Sequence, residues 1–341
     1  MPKIRNMDEF AAVSGISRPT VSKYFHDPES VRPSTRAKIE AALELYDYRP
    51  NVFAMNQNRR LTKNVGIVVP YLSDPFFAEL ARRLERRAIR AGFTPLLFSP
   101  YGNAGIEAEI LDNLRSLKPA GVLLASLGRA SDRKALEKFC TDVPTVLFDS
   151  RAPDIGRPFV GTDNAQVTRL IVEYLCRTGA PPAFFEMREP VNPNAHRRRD
   201  GYIAAMEAAG HTPQVIAVEG AGWNFEEIGA REGRKLLQRD DLPTDTILCS
   251  NDRLAIGLLS AAYEAGRRVG HEKGSDLRVA GMDDHPFSRF TCPALTTVAQ
   301  DYRAIAQEAV QRLRDLVEDE HGATGARQYL FDGQLVMRSS A

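Results

Sequence analysis

No stretch of the chain runs to about eighteen apolar residues, so no helix is expected to cross a membrane. Cysteine is scarce: Cys140, Cys176, Cys249 and Cys292 lie far apart, and no two have C-x-x-C spacing. That excludes a zinc ribbon, a thioredoxin motif and a disulfide miniprotein, and leaves reduced, buried thiols as the expectation. Six histidines (His26, His196, His211, His271, His285 and His321) show no H-x-x-x-H spacing. No G-x-G-x-x-G, Walker A or G-x-S-x-G motif is present. The chain is therefore expected not to be an enzyme, and to need neither cofactor nor metal. The opening Met1–Phe10 is polar and has no apolar signal-peptide core, so a cytoplasmic location is expected.

What is present has the balance of a soluble globular protein. In 341 residues, 43% are apolar and 26% charged, enough for a small headpiece and one or two ordinary domains. The net charge of +1 is unevenly spread. Residues 1–61 hold ten Lys/Arg against seven Asp/Glu, and the remainder 35 against 37. A basic head on a slightly acidic body points toward nucleic acid for the head.

The head reads as short helices. Asn6-x-x-Glu9 is a capping box opening Met7–Ser14. Gly15-Ile16-Ser17 is a turn, with Ser17 placed to cap a second helix over about Arg18–Phe25. A third helix opens at Pro33–Thr35 and carries Ile39, Ala42, Leu43 and Tyr46 at helical spacing. Two short helices around a Gly-containing turn form a helix-turn-helix pattern. Val21 would face the core, leaving Arg18, Thr20, Ser22 and Lys23 outward. Arg reads guanine edges, while Ser and Thr hydroxyls suit phosphates. Residues 51–63 are polar and read as a hinge linker.

From Val65 the texture becomes α/β. Strands at Val65–Val69, Thr94–Ser99, Gly121–Ala125 and Thr145–Asp149 alternate with helices, which implies a covered parallel sheet. The alternation restarts near Ala183, with strands at Val215–Val218, Ile247–Cys249 and Leu277–Ala280. Helix Tyr302–Glu318 and a strand near Leu335–Arg338 follow. Two doubly wound units suggest two lobes and a cleft at the carboxyl ends of the strands. Ser126 and Asp149 sit at such ends. Of the adjacent Phe76 and Phe77, only one can face the cleft, and Phe77 is the choice.

These residues carry a family likeness. Glu9-Phe10-Ala11, Gly15 to Lys23, Val31 to Arg36 and Tyr48-Arg49-Pro50-Asn51 resemble the headpiece of the lac repressor (LacI/GalR) family of transcription regulators. Val65 to Pro70, Pro75 to Glu79, Ser250-Asn251-Asp252, Gly281 to Asp284 and Pro293 to Gln300 resemble that family's effector domain. The likeness spans nearly the whole chain, in order.

The resemblance implies an all-α helix-turn-helix headpiece (1–50), a hinge (51–63) and a two-lobed, periplasmic-binding-protein-like core (64–341). Lobe 1 would be about 64–160 and 290–320, and lobe 2 about 161–289 and 321–341. It implies base-edge contacts by Arg18, Pro19 and Lys23, and phosphate contacts by Ser17, Thr20, Ser22, Thr35 and Asn51. Gln57 stands where the family usually has a leucine that wedges into the minor groove. In the cleft the resemblance adds Arg198, Asn251, Asp283 and an aromatic wall at Trp223 to Phe77, Ser126 and Asp149. Asp252 is expected to cap the helix after Asn251.

The implied protein is a homodimeric, allosteric repressor that binds double-stranded operator DNA and a sugar effector, with no membrane partner. A phosphorylated or acidic effector, or none, is the alternative. A sugar-binding protein without a regulatory role is more remote.

Overall fold

A computed structural model describes residues 4, 6–46, 48, 62–152, 155–239, 241–318 and 327–341. It divides between Thr62 and Lys63 into a head and a body. The expected hinge contacts Asn51 and Gln57 lie outside the described residues.

The head contains α1 (Met7–Ser14), α2 (Arg18–His26) and α3 (Pro33–Tyr46). The capping box opens α1: Asn6 accepts from the Glu9 amide at 2.9 Å and donates to its carboxylate at 3.2 Å. Gly15 closes α1 at φ +68°, a left-handed conformation that favours glycine. Ser17 precedes α2, but its hydroxyl lies 2.8 Å from the Thr20 hydroxyl and caps no backbone amide. Phe10, Val21 and Ile39 are fully buried, and the Phe10 ring stacks on Tyr48 at 4.8 Å. Burying side chains of this size stabilises the head by about 1.5–3 kcal/mol each.

The body contains two parallel sheets. The first joins β1 (Asn64–Val68), β2 (Thr94–Phe98), β3 (Gly121–Leu124), β4 (Thr145–Phe148) and β5 (Phe159–Thr162) with the late strand β11 (Gln328–Phe331), in the order β11-β5-β4-β3-β1-β2. Alternate residues of β1 face opposite sides. Val65 and Ile67 pack with α4 (Pro75–Arg90) and α11 (Tyr302–Glu318), and Val68 packs with α5 (Ala104–Ser116) and α6 (Arg133–Asp142). Both faces are thus covered, which accounts for the unbroken apolar runs.

The second sheet has β6 (Ala183–Met187), β7 (Val215–Val218), β8 (Thr246–Cys249) and β9 (Arg278–Ala280), in the order β7-β6-β8-β9. Helices α7 (Asn164–Thr178), α8 (Ala195–Ala208), α9 (Phe225–Leu237) and α10 (Asp252–Glu264) cover it. A short antiparallel pair, β10 (Thr297–Ala299) with β12 (Gln334–Val336), spans the junction of the lobes. The chain crosses between lobes after Thr162, between Asp283 and Tyr302, and again after Phe331.

Two expectations need correction. Residues 321–341 do not all belong to lobe 2, because Gln328–Phe331 pairs in parallel with β5 at the edge of the first sheet. That slot could not be foreseen without β5, a four-residue strand hidden in the first crossing. Asp252 is not the cap of α10 either: Asn251 accepts from the Leu254 amide at 2.8 Å, and Asp252 lies inside the helix, fully buried.

Candidate functional site

Within the body, the strand ends and helix starts of both lobes converge on a small cavity with about 20 Å³ of free space. That is room for about one water, so a larger ligand must part the contacts that close the cleft. The first lobe contributes Asp74, Phe76, Phe77 and Asp149, and the second contributes Asn192, Asn194, Arg198, Phe225, Asn251 and Arg253. Asp283 and His285 enter from the second crossing segment.

Arg198 is the electrostatic centre. It lies on the first turn of α8, and its side chain is 2% exposed. Its Nε donates to Asn164 at 3.1 Å, and its Nη1 donates to the Ser250 carbonyl at 2.8 Å. Both Nη atoms donate to Asp283, Nη1 at 3.2 Å. Gln300 Nε2 adds a further hydrogen bond to Asp283 at 2.7 Å. Asp283 holds φ +133°, a region that non-glycine residues rarely occupy, and this strained backbone aims its carboxylate at Arg198.

Asp149 also has positive φ, at +54°. Asn194 Nδ2 donates to its carboxylate and to its carbonyl, both at 3.1 Å. Burial pushes the Asp149 carboxyl up to about 7 against the opposing pull of Arg198, and Asp283 adds to the rise.

Asp74 caps α4 by accepting from the Phe76 amide at 3.0 Å. Arg253 of α10 reaches across the cleft to Asp74 at 3.0 Å, while holding Glu226 through two bonds of 2.7 and 2.6 Å. Its guanidinium lies 5.0 Å from the Phe225 ring centroid. Burial raises the Asp74 carboxyl and lowers the His285 imidazole.

Asp252 works behind the wall. It accepts from the Ser288 and Thr297 hydroxyls, both at 2.6 Å, and from the His285 amide at 2.8 Å. These bonds fasten the second crossing segment, which carries Asp283, to α10. Burial pushes the Asp252 carboxyl up to about 7, with Asp283 adding to the rise.

Of the expected cleft residues, Phe77, Asp149, Arg198, Asn251 and Asp283 line the cavity. Phe76 lines it as well, so both members of the pair reach it, because the chamber wraps the start of α4. Ser126 does not reach the wall: it is fully buried, with its hydroxyl 3.4 Å from that of Ser150. Trp223 stands beside the cavity. It stacks on Tyr71 of the first lobe at 5.3 Å, with 2° between ring planes, and meets the edge of Phe77 at 6.0 Å. Sequence reasoning missed Asp74, Asn192, Asn194, Phe225, Arg253 and His285. Asp74 and Arg253 carried a signal, since each opens a helix that follows a strand's carboxyl end.

In the head, Ser17, Arg18, Pro19, Ser22 and Lys23 are exposed at the start of α2, whereas Thr20 and Thr35 are half-buried. Thr35 lies in the first turn of α3. Arg18 Nε lies 2.9 Å from Asp8, and both side chains are well exposed, so water competes freely for this pair.

Among the described residues no helix is long and apolar enough to cross a membrane, and no cluster of side chains could hold a metal ion. Residues 6–51 match the bacterial regulatory proteins of the lacI family, and residues 172–341 match a periplasmic binding protein-like domain. The chain is 29% identical to the HTH-type transcriptional repressor CytR of Escherichia coli over 336 residues, 98% of this chain and 95% of that protein. The lac repressor dimer bound to operator and the anti-inducer ONPF superposes with a TM-score of 0.83 at 25% identity, covering 99% of each chain. The complex of the regulator CelR with cellobiose gives 0.68 at 25% identity, covering 99% of this chain and 100% of that one.

Proposed function

The chain belongs to the lacI family of bacterial regulatory proteins, and we propose that it is a cytoplasmic, homodimeric repressor whose affinity for operator DNA is set by a neutral sugar or sugar derivative held between its lobes. Its relatives are transcriptional regulators rather than enzymes.

The observation that carries the choice of ligand is the charge state of the cavity. Its two arginines are already matched, Arg198 by Asp283 and Arg253 by Asp74 and Glu226. His285 is held toward its neutral form by burial. Among the described residues lining the cavity, no unpaired cation is left for a phosphate or sugar acid. Carboxylates and amides that accept and donate, set among Phe76, Phe77 and Phe225, suit hydroxyls on an apolar ring. The cellobiose complex of the regulator CelR agrees with this chemistry.

Contacts that cross the cleft include Asp74 with Arg253, Asp149 with Asn194, and Trp223 with both Tyr71 and Phe77. A ligand entering between the lobes replaces some of these contacts with its own. It then shifts DNA affinity by its differential affinity for the two lobe arrangements, and no further. In the head, Arg18 and Lys23 read base edges, Pro19 offers only apolar contact, and Ser17, Thr20, Ser22, Thr35 and Asn51 hold phosphates. Gln57 hydrogen-bonds in the minor groove instead of wedging it. A dimer places two heads in successive major grooves of a pseudo-palindromic site.

Calorimetric titration with neutral sugars and their phosphate esters, paired with footprinting on DNA flanking the gene, tests this. Binding of a neutral sugar that alters a palindromic footprint is the expected result. Tighter binding of a phosphate ester than of its parent sugar overturns the choice of ligand.

A further inference from the structure

Helix α4 has two chemically different faces. Leu80, Ala81, Leu84 and Ala88 point into the first lobe. The opposite face carries Arg82, Arg83, Arg86, Arg87 and Arg90, and Arg303 of α11 completes a groove between the two helices. At 3.6 residues per turn the five arginines of α4 fall within a sector of about 140°. One carboxylate shares that sector: Glu79, which Arg82 holds at 2.8 Å and Arg83 at 2.7 Å. Glu85 falls outside it. Arg86, Arg87, Arg90 and Arg303 make no ion pair among the described residues. Like charges at one-turn spacing repel, so the groove is poised to gain from an anionic occupant.

The geometry selects the occupant. Helices packed about 8–10 Å apart leave a furrow that admits a row of side chains. A DNA duplex, whose major groove alone is about 12 Å wide, is too broad to enter it. Arg82, Arg86 and Arg90 repeat once per turn over about 12 Å, the repeat of carboxylates at i, i+4 and i+8 on another helix. Arginine forks bind carboxylates through paired hydrogen bonds, which fixes register as well as charge. We infer that the furrow between α4 and α11 is a docking surface for an acidic helix of a partner protein, with carboxylates at one-turn spacing along one face. It is separate from the cavity between the lobes.

The test uses the full chain and two labelled alanine-based helical peptides of equal glutamate content. One carries its glutamates along a single face, and the other has them spread around the helix. Fluorescence anisotropy at fixed salt should show the single-face peptide binding about tenfold more tightly, because only it matches the arginine rows. The triple variant Arg86→Glu, Arg87→Glu, Arg90→Glu should lose that preference while keeping its circular dichroism spectrum. If the triple variant is misfolded, Arg86→Gln with Arg90→Gln takes its place and should weaken the preference in the same direction. Equal binding of the two peptides overturns the proposal, as does an unchanged preference in a folded variant. Competition by non-operator duplex that vanishes in the variant would make the furrow a nucleic-acid surface. A changed oligomeric state of the variant in sedimentation would make it an interface between copies. Either result also overturns the proposal.

Discussion

Replacing Asp283 with alanine strips the buried Arg198 of its counterion. The Arg198 side chain is 2% exposed, so bulk water is poorly placed to replace the two Nη bonds to Asp283. The bonds to Asn164 and the Ser250 carbonyl remain, but neither group carries a charge. Removing one partner of a buried ion pair costs about 3–5 kcal/mol, most of it the penalty of the abandoned charge. Gln300, which also donates to Asp283, loses its acceptor and adds about 1 kcal/mol. Asp283→Ala should therefore destabilise the body severely, beyond any loss of effector binding. Arg198→Met with Asp283→Leu removes both charges together and should recover most of that loss. Urea unfolding followed by circular dichroism and by the fluorescence of Trp223, the one tryptophan in the chain, measures both variants. The reasoning is refuted if Asp283→Ala costs less than about 1 kcal/mol, or if the two single substitutions simply add.

Asp149 gives a pH signature. Its folded pKa of about 7 stands above the ordinary carboxylate value, so the folded state binds the extra proton between about pH 4 and 7. Its contribution to stability is complete at low pH and is lost as pH rises through 7. Asp149→Asn should gain stability relative to the parent at pH 8 compared with pH 5, and a difference that does not vary with pH would remove the effect. Arg18→Ala should relax base preference at one operator position by roughly 1–3 kcal/mol in competition binding, whereas uniform weakening on all sequences would deny it a base-reading role. Gly102 stands at φ +76°, and a Cβ there would lie 2.4 Å from the indole nitrogen of Trp223. Gly102→Ala should part the Tyr71–Trp223 stack, shift the tryptophan emission and weaken sugar binding about tenfold; unchanged emission would show that the stack survives.

Helical spacing and apolar runs were enough to reveal the head and most of both sheets, because both arise from local pattern. Asn6, Gly15 and the run at Val65 each specify their own surroundings. The strands at Phe159 and Gln328 did not show in that way. Each is four residues long, and Gln328–Phe331 alternates half-buried and exposed positions, so it is recognisable only beside a partner 169 residues away. The cleft was legible where a residue ended a strand, as with Asp149 and Asn251. Arg253 opens a helix at such an end, but its pairing did not show, because its partners Asp74 and Glu226 lie in different lobes and meet only after folding. Asn251 lines the cleft as expected and also takes the capping role expected of Asp252, because either could cap a helix. The hydroxyls of Ser288 and Thr297, remote in sequence, decide which of them turns inward.

The parallel pairing of Gln328–Phe331 with Phe159–Thr162 imposes a schedule on synthesis. The first lobe begins at Asn64, yet its sheet lacks an edge strand until Gln328–Phe331 is made. At a ribosomal pace of about 5–20 residues per second, the gap between the two strands lasts roughly 8–30 s. Throughout it, the edge of Phe159–Thr162 is open to pairing with other chains. A nascent chain stalled after α11 would hold a nearly complete second lobe and an unfinished first one. Shielding of that edge by a chaperone therefore bears directly on the yield of native protein.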